Sequence, residues 1–255
     1  MIRLIACDVD GTLIPQCSDV MDIEMYDVIR RLKKKGIIFC AASGRQHASL
    51  LRLFAPVADD IYFICENGAV VYGPGENAPL LGQTVMDRES CLRLANEIIN
   101  FPQCEYLISG AKACYISPKR ESYISLIRDQ LHNVTEIVPA PEDIPEDILK
   151  VTAYCPIDID NVFKLLSTEW SHLNPCYGGP EWIDMMLANK GAGLKQLCDA
   201  IGVDTKDVMA FGDNSNDLPM LETAGHSYIM EWANPDLLET IPNHCSSVKK
   251  YLSKL

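Results

Sequence analysis

The 255-residue sequence predicts an α/β fold, a parallel-sheet core interrupted by an inserted α+β module. Three observations carry the prediction. At the start, short unbroken apolar runs alternate with amphipathic stretches; a segment rich in glycine and proline from residue 66 breaks that rhythm; and the rhythm resumes after about residue 188. Unbroken apolar strands are those buried on both faces, as in parallel sheets covered by helices.

The elements follow in order. "IRLIAC" (2–7) reads as a first buried strand. "DIEMYDVIRRLKKK" (22–35) places Ile23, Tyr26, Ile29 and Leu32 at helical spacing, with basic residues in the last turn and Gly36 as a stop. "IIFCAA" (37–42) is a second buried strand, followed by "SGR" (43–45), a helix through "QHASLLRLF" (46–54) and a third strand, "IYFIC" (61–65). "ENGAVVYGPGENAPLLG" (66–82) predicts a hairpin leading to a boundary, with Asn67 read as a turn residue. Within the inserted module, 83–187, "DRESCLRLANEIIN" and "NVFKLLSTEW" read as helices, and "ACYIS" and "KVTAYC" as strands. The core then resumes with a helix, "KGAGLKQLCDAIGV" (190–203), a strand, "VMAFG" (208–212), and a helix, "DLPMLETAG" (217–225). The predicted domains are therefore 1–82 with 188–255, and 83–187.

Composition narrows the function. Apolar residues make up 48% and charged residues 22%, which predicts an ordered core. A net charge of −13 argues against nucleic acid as a partner, because phosphate backbones need a basic surface. It leaves room for a small phosphorylated ligand, where local charge and metal decide. The opening "MIRLIACDVD" carries no apolar stretch of the signal-peptide kind, and no window approaches a membrane span. Eleven cysteines, an odd number without a CxxC pair, predict neither a disulfide framework nor a zinc cluster. Cys7, Cys40 and Cys65 lie inside apolar runs, where a thiol is a small hydrophobe. A reduced, cytoplasmic protein is expected.

Three predicted strands end in small or polar residues: the first at Asp8 and Asp10, the second at Ser43-Gly44-Arg45, and "VMAFG" at Asp213-Asn214-Ser215-Asn216-Asp217. Ligands of parallel α/β sheets bind beyond the carboxyl ends of the strands. If these strands are neighbours, three acids, a hydroxyl and exposed N–H groups converge. In an extended segment Asp8 and Asp10 point the same way, and two like charges so close call for a cation, a shared proton, or nothing more than a solvated turn after the strand, where Asp-Gly is a common pair. The oxygen-rich set suits Mg²⁺. A helix start after Ser43 offers amides to a phosphate, and Lys190, at the head of a helix, offers a point charge for phosphoryl oxygens. Asp213 and Asp217, four apart, share a face if the helix begins between them.

"DVDGTL" (8–13), "SGR" (43–45), "KG" (190–191) and "GDNSND" (212–217) resemble the four ordered motifs of the haloacid dehalogenase-like phosphatases. The insert between the second and third motifs is similar to that of members with an α/β cap, the Cof-type group. The resemblance implies a Rossmann-like parallel-sheet core closed by the inserted α+β cap. It implies Asp8 as nucleophile and Mg²⁺ ligand, and Asp10 as acid and base with its carbonyl on the metal. Ser43, Gly44 and Asn216 would bind phosphate beside Lys190. Asp213 would be a direct metal ligand, and Asp217 would act through water or orient Lys190. The function implied is Mg²⁺-dependent hydrolysis of a small phosphate monoester, a sugar phosphate or phosphorylated cofactor, through an aspartyl-phosphate. The tail after Met230 is shorter than the family's and lacks its acidic-glycine-valine element, which leaves the last strand and helix unspecified.

Other readings of the same residues stand beside this one. A phosphomutase of the superfamily would share every motif. A phospho-ligand sensor would not need a nucleophile and an acid together. A response-regulator module would fill about half the chain and leave the insert unexplained. Arg45 either contacts substrate or pairs with a nearby acid. The five histidines belong to no motif and read as structural or surface groups.

Overall fold

The computed structural model describes residues 1–16, 18 and 20–255. The chain begins with β1 (Leu4–Asp8), α1 (Ile23–Lys34), β2 (Ile38–Ala42), α2 (His47–Leu53), β3 (Ile61–Cys65), β4 (Val70–Tyr72) and β5 (Leu80–Gln83). Next come α3 (Arg88–Asn100), β6 (Glu105–Ser109), β7 (Cys114–Ile116), α4 (Glu121–Ser125), β8 (Thr135–Ile137), β9 (Lys150–Tyr154), α5 (Ile159–Glu169), β10 (Cys176–Gly179) and β11 (Trp182–Met185). The last stretch holds α6 (Lys190–Ile201), β12 (Val208–Gly212), α7 (Leu218–Thr223), β13 (His226–Met230), α8 (Pro235–Thr240), β14 (His244–Cys245) and α9 (Val248–Leu252). Two compact units result: Met1–Gln83 with Ala188–Leu255, and Thr84–Leu187.

The first unit is built on an eight-stranded sheet of order β14-β13-β12-β1-β2-β3-β4-β5. Pairing is parallel from β14 through β3, and the hairpin of β4 and β5 adds an antiparallel edge. The three strands whose ends carry the acidic and small polar residues are therefore neighbours, β12-β1-β2. Their register pairs Cys7 with Phe211 and Asp8 with Ala42, so the ends open at one level. All five residues of β1 are buried, and so are all five of β12. That is why these strands read as unbroken apolar runs.

Asp22 caps α1 by accepting the Glu24 N–H. Its buried stripe is Met25, Val28, Ile29 and Leu32, the i, i+3, i+4, i+7 pattern. The spacing argument instead puts Ile23 on that face, yet Ile23 is 76% exposed. A three-residue step drifts off a 3.6-residue repeat, and the fuller pattern names the true face. α2 starts at His47, later than a start just after Ser43. The tail does complete the fold: β14 pairs in parallel with β13, and α9 buries Val248 and Leu252.

The second unit carries a six-stranded sheet, β10-β11-β9-β6-β7-β8, antiparallel except for β7 with β8. One face buries Tyr106, Ile108, Val151 and Ile183 against Leu94 and Ile98 of α3 and Leu166 of α5. The other packs Leu107, Cys114 and Ile116 against Tyr123 and Ile127. Trp182 lies beside Tyr154 in this sheet, ring centres 4.6 Å apart. β7 and β9 lie within the predicted "ACYIS" and "KVTAYC"; β8 and β10 are short and largely exposed, so they carry little apolar signal. Every cysteine among the described residues is free, and Cys7, Cys40 and Cys65 are wholly buried. Among the described residues no helix is long and apolar enough to cross a membrane.

Candidate active site

The site assembles where β12, β1, β2 and β3 end. Beyond Asp8 the chain turns back on itself: Val9 O accepts the N–H groups of Leu13 (2.9 Å) and Ile14 (3.0 Å), and the Gly11 N–H donates to Ile14 O (2.8 Å). Gly11 has φ +90°, and a Cβ there would lie 2.2 Å from Asp213 Oδ2. Glycine is what lets the turn and Asp213 share that space. Thr12 Oγ1 donates to Asp213 Oδ1 at 2.9 Å, fixing the carboxylate from the same turn.

Lys190 enters as the first residue of α6, behind the cap in which Asn189 accepts the Ala192 N–H. Its side chain is 1% exposed, and Nζ donates to Asp8 Oδ1 at 2.5 Å and to Asp217 Oδ1 at 2.6 Å. Asp217 is wholly buried. Its Oδ2 accepts the N–H groups of Asp213 and Asn214, both at 3.0 Å, within a capping-box turn. Asp213 precedes that turn, so the two acids converge by a bend of the chain and not along a helix face. Asp217 both caps the turn and holds Lys190.

Burial works to lower the Lys190 pKa, but the carboxylates of Asp217 and Asp8 overcome it and hold the ammonium above its ordinary value. Burial pushes the Asp8 carboxyl well up, with Asp217 and Asp213 adding to the push and Lys190 opposing it. Asp213 is raised as well, chiefly by burial. Carboxylate oxygens of Asp8, Asp213 and Asp217 lie within 4.8 Å of one another. Asp8 Oδ2 is buried and accepts no hydrogen bond among the described residues. One lysine facing three carboxylates leaves negative charge uncompensated. A hard divalent cation with oxygen ligands fits this donor set.

Asp10 stands apart from that trio. The sequence sets Asp8 and Asp10 side by side; in the structure β1 ends at Asp8 and each carboxylate has its own cation. Arg45 clamps Asp10 with two bonds, Nε to Oδ2 at 2.9 Å and Nη2 to Oδ1 at 2.6 Å, and Nη2 also donates to Ser18 O at 2.9 Å. Of the two readings of Arg45, pairing with an acid is what these contacts display. Ser43 is buried, and its Oγ accepts the Arg45 N–H at 3.2 Å. Gly44 follows it in the same loop. Asn216 is exposed and donates to Asn67 Oδ1 at 3.1 Å.

A family model described as haloacid dehalogenase-like hydrolase matches residues 5–250. The chain belongs to that family. It is thus an enzyme of the haloacid dehalogenase-like hydrolases, and the four-motif resemblance, with the Cof-type group inside it, holds. A relative from Escherichia coli (strain K12), named 5-amino-6-(5-phospho-D-ribitylamino)uracil phosphatase YbjI, is 26% identical over 90% of this chain and 85% of its own. A relative from Cronobacter sakazakii, named HMP-PP phosphatase, is 26% identical over 99% of this chain and 95% of its own. A solved structure from Eubacterium rectale superposes with a TM-score of 0.88 at 30% identity, covering 99% of this chain and 98% of that one.

Three residues of this hydrolase's site escape the sequence reading. Gln16 Nε2 donates to the Asp10 carbonyl at 2.9 Å. Trp232, 57% exposed, donates through Nε1 to Gly11 O at 2.8 Å. Asn67, read as a turn residue, reaches Asn216. Only Asn67 carries a local signal: an Asn-Gly pair at the end of a buried strand of the same sheet.

Proposed function

We propose that this chain is a Mg²⁺-dependent phosphatase that hydrolyses a small soluble phosphate monoester, a sugar phosphate or a phosphorylated cofactor, through an aspartyl-phosphate on Asp8. The observation that carries the reading is the buried array in which Lys190 bridges Asp8 and Asp217 while the second oxygen of Asp8 has no hydrogen-bond partner among the described residues. A sensor would gain nothing from a nucleophile held under such electrostatic tension. The names of the two relatives, both phosphatases of small phosphorylated molecules, support the substrate class.

In this reading Asp8 attacks phosphorus, its carboxylate oxygen forming the new P–O bond as the ester P–O bond breaks. Asp10, both of whose carboxylate oxygens Arg45 clamps, takes up a proton when Arg45 releases one of them and gives it to the leaving oxygen. It then takes a proton from the water that attacks the phospho-aspartate, which restores Asp8 and frees phosphate. Ser43, Gly44 and Asn216 bind the phosphoryl oxygens, and Lys190 offsets their charge from beneath. Arg45 contributes by orienting Asp10, with contact to substrate as a second task. Asp8, Asp213 and the Asp10 carbonyl would hold Mg²⁺, with Asp217 behind them, and the ion when bound supplies positive charge that keeps Asp8 ionised and neutralises the phosphoryl group.

The test is phosphate release from a broad panel of small phosphate esters, with Mg²⁺ and with chelator, for wild type and Asp8→Asn. Release that needs the metal and falls about a thousandfold or more in Asp8→Asn is expected. Full turnover by Asp8→Asn would overturn the mechanism. Phosphate moved to another position of the substrate instead of freed would replace hydrolysis by a mutase reaction.

A further inference from the structure

The residues that follow β3 are shaped by something other than turn-making. Glu66, Asn67 and Gly68 all lie in the left-handed region, with φ of 48°, 53° and 96°. Two of the three are not glycine, and such residues visit this region rarely, asparagine more readily than most. Backbone held there against its preference gathers at functional sites. The turn sits at the end of β3, next to β2 in the sheet, on the same open edge as the ends of β1 and β12.

Its contacts reach three separate parts of the active site. The Glu66 N–H donates to Arg45 O at 3.1 Å and the Asn67 N–H to Ser43 O at 3.0 Å, pinning the phosphate-gripping loop on both sides of Gly44. The Asn67 amide lies against Gly44, where a Cβ would be 3.1 Å from Oδ1 and 3.2 Å from Nδ2. Oδ1 accepts from Asn216 Nδ2 at 3.1 Å, a contact between residues 149 apart in the chain. At Gly68 a Cβ would be 2.1 Å from Asn189 O and 3.0 Å from the Lys190 nitrogen, so this face of the turn abuts the start of α6.

We propose that Asn67 is a positioning residue for the phosphoryl site, acting through Asn216. One amide proton of Asn216 is taken by Asn67 Oδ1. That fixes the plane of the Asn216 amide and aims its second N–H at the place between Gly44 and Lys190 where the proposed function puts the phosphoryl oxygens. Asparagine suits the position for two reasons together. It tolerates the left-handed backbone that holds the Ser43 loop, and it offers a neutral acceptor. Aspartate would satisfy both geometric demands and add a negative charge next to an anion. The inference rests on the proposed phosphatase reading, since it assigns Asn67 no chemistry of its own.

The experiment uses the full chain with Mg²⁺. Binding of inorganic phosphate is measured by calorimetry, and kcat and KM for p-nitrophenyl phosphate by phosphate release. The proteins are wild type, Asn67→Gly, Asn67→Asp, Asn216→Ala and the double variant Asn67→Gly/Asn216→Ala. Asn67→Gly keeps the backbone and removes the amide. Phosphate binding weakened about five- to tenfold is expected, with KM rising more than kcat falls. Asn67→Asp should bind phosphate more weakly still despite keeping its acceptor, because the charge repels. In the Asn216→Ala background, Asn67→Gly should have no further effect, which a purely structural role would not predict. Phosphate affinity unchanged in Asn67→Gly, or an equal loss in both backgrounds, overturns the proposal. A wild type that neither binds nor releases phosphate would take down the phosphatase reading and this one with it. An active wild type with an indistinguishable Asn67→Gly takes down this one alone.

Discussion

Replacing Lys190 by methionine would test whether the buried charge array is what the geometry says it is. The ammonium lies 2.5 Å from Asp8 Oδ1 and 2.6 Å from Asp217 Oδ1, with Lys190 at 1% exposure, Asp8 at 5% and Asp217 at 0%. Methionine fills a similar volume but leaves two buried carboxylates without their cation. Breaking a buried pair by removing one partner costs about 3–5 kcal/mol. Asp217 keeps its two backbone N–H donors, and Asp8, already pushed toward protonation by burial, can neutralise itself. Both effects soften the loss, so about 3 kcal/mol is expected. For a chain of this size, that corresponds to a fall in melting temperature of roughly 6–12 °C. The assay is thermal unfolding in chelator, followed by intrinsic fluorescence, for Lys190→Met, Asp217→Asn and the double variant. If the two groups act as a pair, the double variant should be more stable than the sum of the single losses allows, by about 2 kcal/mol. A Lys190→Met protein that melts within about 1 °C of wild type, or strictly additive losses, would refute the reasoning.

Three further variants probe the packing at particular sites. Gly68→Ala should destabilise by more than about 2 kcal/mol, since the left-handed strain is joined by a clash 2.1 Å from Asn189 O. Gly36→Ala, at φ +74° with nothing within 4 Å among the described residues, should cost only the strain, about 1 kcal/mol; equal losses in urea titrations would contradict the packing described. His47 is stacked on Tyr72 with ring centres 4.1 Å apart, its Nε2 is buried with no hydrogen-bond partner among the described residues, and burial lowers its pKa to about 4. A histidine held below its unfolded value favours the neutral form, so its contribution is intact above about pH 6.5 and is lost as pH falls from there toward 4. His47→Phe should therefore flatten the fall in melting temperature across that window, and parallel curves would count against the assignment.

The strands that end at the candidate site were legible because their burial is two-sided. β1, β2, β3 and β12 read as unbroken apolar runs, and the polar residues that interrupt them mark where the sheet opens. The capped helices α1 and α3 were equally plain, with Asp22 and Asp87 at their starts. Asp8, Ser43, Lys190, Asp213 and Asp217 stand where such strands and the helix after the insert begin or end, so order along the chain was enough to select them.

What the sequence could not disclose is which group answers which. Spacing left Arg45 open to substrate or to an acid, and its clamp on Asp10 is a contact across 35 residues. Asn67 and Asn216 are 149 apart, and Trp232 and Gly11 are 221 apart. Lys190 reaches Asp8 across 182 residues. Periodicity and motif order are local properties of a chain, set by which backbone each short stretch can adopt and which face it buries. Sequence by itself therefore determined the buried strands, where they end and the chemical types at those ends; their order in the sheet came with the structure. The pairing of charges, the orphaned oxygen of Asp8 and the left-handed turn that ties three loops together were decided only by tertiary packing, because each depends on distances between side chains that share no local sequence.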